Sequence, residues 1–250
     1  MKFGLSFAKV EEMKCYMITA FIIIVMATGV CAAPVIPATD KTMIQELREV
    51  SSSVTRKGLV MVIDVQHEDL LGIRYSDESN FLEKTQSVVA EAKYQEMDAT
   101  FVELRNEGET VPELLDIYGE NANRFIKNEY NAFANEELRD FVNNGGYTDV
   151  FVMGHDGNVC VKCTIAGGDP VGPMDVGPGG YPHGLLDNES IRVHMSSNTT
   201  ATANPNATGA DDAYVGDLYI EEHPRLKVYS DAGEISQGAM NQLTENSNCN

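Results

Sequence analysis

"DVFVMGHDGNVCVKC", residues 149–163, decides the fold. A short β-rich apolar run, Val150 to Met153, stops at Gly154. Gly154 and Gly157 bracket a His-Asp pair, and a helix is expected to start near Val159. A buried strand that ends in a tight turn and re-enters as a helix is the repeating unit of a parallel α/β sheet. Cys160 and Cys163 then lie one helical turn apart. Three readings are open for them: a redox Cys-x-x-Cys, half of a metal site, or one nucleophile with an ordinary neighbour.

The same unit recurs along the chain. Leu59–Ile63, Ala99–Leu104, Arg124–Lys127 and Leu226–Ser230 read as further strands, the first an unbroken apolar run of the kind buried on both faces. Helical spacing is visible over 42–53, 80–97 and 135–143, with a shorter helical turn over 113–118 and a last helix over 233–243. Strands alternating with helices predict an α/β fold with a mostly parallel sheet covered on both faces. The stretch 168–222, rich in Gly, Pro, Asn and Thr, breaks the scheme and reads as a long irregular insertion. The domain itself is expected over 58–250, after a helical lead-in over 34–57.

Three polar residues stand where apolar strands stop: Asp64 after Ile63, Lys127 after Ile126, and Cys160 in the turn after Met153. In an open parallel sheet the carboxyl ends of the strands share one edge, and ligands bind there. An acid, a base and a thiol would meet in one crevice. A carboxylate can take the thiol proton, a lysine can hold that carboxylate ionised, and the N–H groups at the start of a helix favour a thiolate or an oxyanion.

These motifs resemble the isochorismatase-like cysteine hydrolases, the superfamily that includes nicotinamidases and carbamoyl-amide hydrolases. "LVMVIDVQ" resembles the family's first strand with its Asp-x-Gln, and "RFIKNEYNAFANEEL" its lysine segment. "VFVMGHDGNVCVKCTIAGG" resembles the strand and nucleophile turn, and "LKVYSDAGEIS" the last strand. The resemblance implies a Rossmann-like three-layer α/β/α sandwich and a triad of Asp64, Lys127 and Cys160. It further implies attack by Cys160 on an amide-like carbonyl, with a thioester acyl-enzyme that Asp64 helps to form and clear. In the family the turn before the nucleophile holds a cis peptide without proline, whose place here is His155–Asp156, beside the oxyanion. Gln66, His67 and Phe133 are the expected pocket residues. The family's nicotinamidases hold a metal through histidines after the second strand, where this chain reads "VELRNEGETVPEL" without one. No metal and no cofactor are expected. Two rival functions stay in view: a non-catalytic secreted relative that binds a ligand or partner, and a Cys-x-x-Cys thiol-disulfide protein.

Charge and termini narrow the setting. The 250 residues carry 38 Asp and Glu against 18 Lys and Arg, a net charge of −20, which disfavours nucleic acid and anionic membrane as partners. A small-molecule substrate is the expected partner, and a homo-oligomer stays open. Lys2, Lys9 and Lys14 precede an uncharged run from Cys15 to Ala33 with small residues at its exit, the pattern of a cleaved signal peptide over 1–33. The alternative is an uncleaved membrane anchor. Asn188, Asn198 and Asn206 begin Asn-x-Ser/Thr sequons. In a chain sent to the secretory pathway they suggest a glycosylated surface loop.

Overall fold

The computed structural model describes residues 41–66, 75–168, 183–203, 213–215 and 223–247. The expected leader, His67 and Asn206 lie outside them. Among the described residues no helix is long and apolar enough to cross a membrane.

The chain enters through helix α1 (Met43–Ser51), whose start is fixed by a capping box: Thr42 Oγ1 accepts from Gln45 N–H, and Gln45 Oε1 accepts from Thr42 N–H. Its Met43, Ile44, Leu47 and Val50 are buried. Strands β1 (Gly58–Ile63), β2 (Asp98–Leu104), β3 (Asn123–Lys127) and β4 (Asp149–His155) follow. Between them run helices α2 (Tyr75–Tyr94), α3 (Pro112–Tyr118) and α4 (Glu136–Asn144), and α5 (Lys162–Ala166) comes after β4. Strands β5 (Arg192–Ala203), β6 (Ala213–Val215) and β7 (Leu226–Tyr229) and helix α6 (Gln237–Ser247) complete the fold.

The sheet order is β3-β2-β1-β4-β5-β6, with β7 also paired to β5. All pairings are parallel except β5 with β6. β1 is buried at every residue and feeds two cores. Val60 and Val62 pack with residues of α1, α2 and α3, whereas Leu59, Met61 and Ile63 pack with residues of α4 and α5. The result is the expected three-layer α/β/α sandwich. From β1 the chain steps outward to β2 and β3, then crosses back to β4 on the other side of β1. The crevice between the carboxyl ends of β1 and β4 is therefore the topological switch point, where doubly wound sheets bind ligands.

One expectation is corrected. The stretch 168–222 is not irregular throughout, because Arg192–Ala203 is strand β5, inside the sheet between β4 and β7. It reads as loop because many of its buried residues, His194, Ser196, Thr199 and Thr200, are polar. Residues 196–199 of β5 stand opposite Met153 alone, a wide bulge. The Thr199 and Thr200 hydroxyls both donate to Ser196 O and close it. His194, fully buried, lies between Asp149 Oδ1 (2.8 Å) and the Tyr229 hydroxyl (3.0 Å) and stacks on Phe151.

At the opposite edge from the switch point, charged groups tie α1 to the sheet. Asp149 is buried and accepts from Arg56, Arg192 and Thr148, while Glu46 of α1 pairs with Lys41, Arg56 and Lys227. Burial would raise the Glu46 carboxyl, but the hydrogen bonds from Lys41 and Arg56 outweigh it and hold it at about 2. Glu91 is likewise held at about 2, burial being outweighed by Arg48 and Ser236. Burial depresses His194 against the pull of Asp149. All three shifts are downward, so each contributes stability above its unfolded pKa that is lost as pH falls. The melting temperature should hold above neutrality and fall steadily from about pH 6 to pH 2. A melting temperature unchanged down to pH 3 would contradict this network.

Candidate active site

Three loops at the switch point bring the site together. Asp64 follows β1 directly and has a left-handed backbone, φ 51°, a conformation that Asp tolerates better than most residues. Its N–H donates to Val102 O of the neighbouring strand, so the turn is anchored at 2.9 Å. Lys127 is the last residue of β3 and is 1% exposed. Its Nζ lies 2.6 Å from Asp64 Oδ2 and donates to Tyr130 O at 3.1 Å. A lysine from the edge strand thus reaches past β2 to the aspartate of β1.

Cys160 belongs to a π turn, Gly157–Val161, that leads into α5. Asp156 O accepts from both Val159 N–H and Val161 N–H, which closes the wide turn. Such turns within helices often mark functional sites. The peptide bond between His155 and Asp156 is cis, the geometry that the resemblance implied for this turn. Gly154 has φ 136°, and a β-carbon there would lie 1.9 Å from Ile63 O. Only glycine lets the end of β4 lie so close to the end of β1, and this contact sets the nucleophile turn beside Asp64.

The electrostatics couple all three side chains. Cys160 is 5% exposed. Burial pushes its thiol well above the usual range, the Asp64 carboxylate adds to the rise, and Lys127 opposes it. Burial acts to lower the Lys127 ammonium, but Asp64 and Cys160 outweigh it and hold it raised. The resting site is therefore a buried Lys–Asp ion pair against a protonated thiol. Cys160 becomes a nucleophile only as its proton leaves, and the neighbouring carboxylate is placed to accept it.

The other expected site residues separate. Gln66 is fully buried and its amide serves the scaffold: Nε2 donates to Leu104 O and Gly108 O, and Oε1 accepts from Leu104 N–H. Phe133 is 2% exposed and shares an apolar cluster with Cys160. It also borders an open groove of about 250 Å³ with Arg139, His183 and Asp187, which includes none of Asp64, Lys127 and Cys160. Cys163 is a second buried thiol.

One of the two described sequons lies in a surface turn and the other in a strand. Asn188 Oδ1 accepts from Ser190, and its Nδ2 donates to Asn143. Asn198 lies in the β5 bulge, with Nδ2 donating to Asp231 and Oδ1 accepting from Ala232 N–H. Sequence reasoning also passed over Tyr130, whose carbonyl holds the lysine, and Thr164, whose hydroxyl touches the backbone of Cys160. Their spacing from Lys127 and Cys160 was the available signal.

The isochorismatase domain model matches residues 19–168, a span that takes in β1 through α5 and all three triad residues. The chain belongs to the isochorismatase family. No curated protein matches it. Among solved structures it is similar to N-carbamoylsarcosine amidase from Thermoplasma acidophilum: 14% identity over 72% of this chain and 99% of that one, TM-score 0.48. It is also similar to an octameric hydrolase of unknown specificity from Escherichia coli, at 20% identity over 61% of this chain and 69% of that one, TM-score 0.47. A nicotinamidase from Staphylococcus aureus is similar at 14% identity over 60% of this chain and 85% of that one, TM-score 0.45. In this isochorismatase-family chain the end of β2 and the segment after it are tied together by hydrogen bonds and an ion pair. Glu103 Oε1 accepts from Thr110 N–H and pairs with Arg124. Among the described residues no group of three or more His, Cys, Asp or Glu side chains is placed to hold a metal ion.

Proposed function

We propose that this chain is a cysteine hydrolase that cleaves a small amide or related C–N bond through an acyl-enzyme on Cys160. The observation that carries the reading is the meeting of Asp64, Lys127 and Cys160, from three different strand ends, in one buried ion-paired cluster. In the first half-reaction the Cys160 sulfur bonds to the carbonyl carbon as its proton passes to Asp64. Asp64 then gives that proton to the leaving amine, and the C–N bond breaks. In the second half-reaction Asp64 takes a proton from water, which attacks the thioester carbonyl; the C–S bond breaks, the acid leaves, and Asp64 returns the proton to the sulfur. Lys127 keeps a positive charge beside the carboxylate throughout. The turn over 155–160 is the proposed binding place for the oxyanion, and Phe133 its apolar wall.

The test is release of ammonia or amine from a panel of small amides, ureido compounds included. At least one should be turned over, at an undiminished rate after exhaustive chelation. A rate lost to EDTA and restored by zinc would mean that the site works through a metal. Failure of the whole panel, with Cys160 inert to alkylating agents, would sink the enzyme reading.

We further propose that the chain is exported and that the segment 1–33 is removed. Its basic start, apolar middle and small-residue exit support this. N-terminal sequencing of secreted material should begin near Ala33 or Pro34. Material from a glycosylating host should lose mass on glycosidase treatment, through Asn188, Asn198 or Asn206. A mature chain that retains Ile22–Val25 would instead mark an anchor.

A further inference from the structure

We infer that Thr164 is a positioning residue that holds the nucleophile turn in register with the lysine loop. Thr164 lies on α5, four residues after Cys160, and is fully buried. Its hydroxyl donates to Cys160 O at 2.7 Å. A threonine that bonds the carbonyl four residues back is ordinary within helices. The second contact is not part of that habit: the same oxygen accepts Ala132 N–H at 3.0 Å, from a separate segment of chain.

Ala132 lies five residues after Lys127, in the loop whose Tyr130 carbonyl accepts from the Lys127 ammonium. The loop is therefore held at two points, by the lysine at residue 130 and by Thr164 at residue 132. A hydroxyl has one proton to donate and lone pairs to accept with. Here the donation goes to the nucleophile's own residue and the acceptance comes from the lysine loop, so one oxygen fixes the distance between the two halves of the site. Val161, Ile165 and Ala132 are buried around it, and water has little access to replace either bond. Serine supplies the same two bonds, whereas valine has the shape of threonine but supplies neither.

The inference rests on Cys160 as the reactive thiol, and its test does not depend on finding a substrate. Iodoacetamide alkylation of the full chain is followed by peptide mass mapping across a range of pH. Cleavage after Lys162 separates Cys160 from Cys163, so each thiol is read alone. Thr164→Val should slow alkylation of Cys160 by about tenfold or more and displace its pH profile upward, because the sulfur is no longer held against Lys127. Thr164→Ser should stay within about threefold of the wild type, with its profile unmoved. A purely structural role would lower the melting temperature of Thr164→Val and leave both the rate and the profile at Cys160 unchanged, and that result overturns the inference. Should Thr164→Val fail to fold, amide hydrogen exchange decides in its place. Ala132 N–H should be strongly protected in the wild type and in Thr164→Ser, and exchange as fast as in an open loop in either protein overturns it. If no amide is hydrolysed and these results hold, the hydrolase proposal fails and the positioning role stands.

Discussion

Replacing Cys160 with alanine should reduce turnover of any amide that the wild-type chain hydrolyses by at least about a thousandfold. The thiol is the one group of the cluster that can form the acyl bond, and neither Asp64 nor Lys127 replaces it. The fold should persist, because a single sulfur is removed from a site that is 5% exposed, at a cost below about 1.5 kcal/mol. Cys163→Ala is the control. Cys163 lies one turn further along α5, and its loss should leave the rate within about threefold. Equal loss in the two variants, measured as kcat/KM on the same substrate, would favour a redox pair over a single nucleophile.

The second large effect concerns Lys127. Its ammonium and the Asp64 carboxylate are 2.6 Å apart, with side chains 0% and 2% exposed. Removing one charge leaves the other buried without compensation. Lys127→Met should therefore lose about 3–5 kcal/mol of stability as well as about a hundredfold or more in rate. The double variant Asp64→Asn, Lys127→Met has no buried charge at this place. It should recover most of the lost stability and none of the activity. Chemical denaturation separates the two outcomes. A Lys127→Met protein as stable as the wild type would mean that the pair is open to water. A double variant whose loss equals the sum of the two single losses would mean that the residues do not interact.

Much of this site was legible because its chemistry stands at strand ends. Val60 to Ile63 is apolar without interruption, so Asp64 marks the end of a strand buried on both faces. The same logic placed Lys127 and Cys160, and their convergence followed from parallel pairing alone. Gly154 was legible as a glycine in a tight turn. Its specific need, passage within contact of Ile63 O, depends on a neighbouring strand that local sequence does not reveal. β5 was illegible for a different reason. A strand is recognised by apolar alternation, and Ser196, Thr199, Thr200 and His194 are buried polar residues. The partners of His194, Tyr229 and Asp149, lie 35 and 45 residues away, whereas the Thr199 and Thr200 hydroxyls bond Ser196 O within the strand. Gln66 was expected near the pocket through the resemblance of its Asp-x-Gln segment. The two backbone carbonyls that hold its amide belong to the last residue of β2 and to the loop after it, so its polar groups face the scaffold.

In the proposed reaction the Cys160 sulfur carries the acyl group, with Asp64 and Lys127 beside it. Acid-quenched peptide mapping during turnover tests this most directly. A substrate from the panel is mixed with the wild-type chain, the reaction is stopped in acid within its first turnovers, and the tryptic peptide ending at Lys162 is weighed. A mass increase equal to the acyl group, present on that peptide, absent from the peptide that begins at Cys163 and cleared as substrate is exhausted, is the predicted result. Steady turnover that persists in Cys160→Ala, with no acyl group on either peptide, would contradict it.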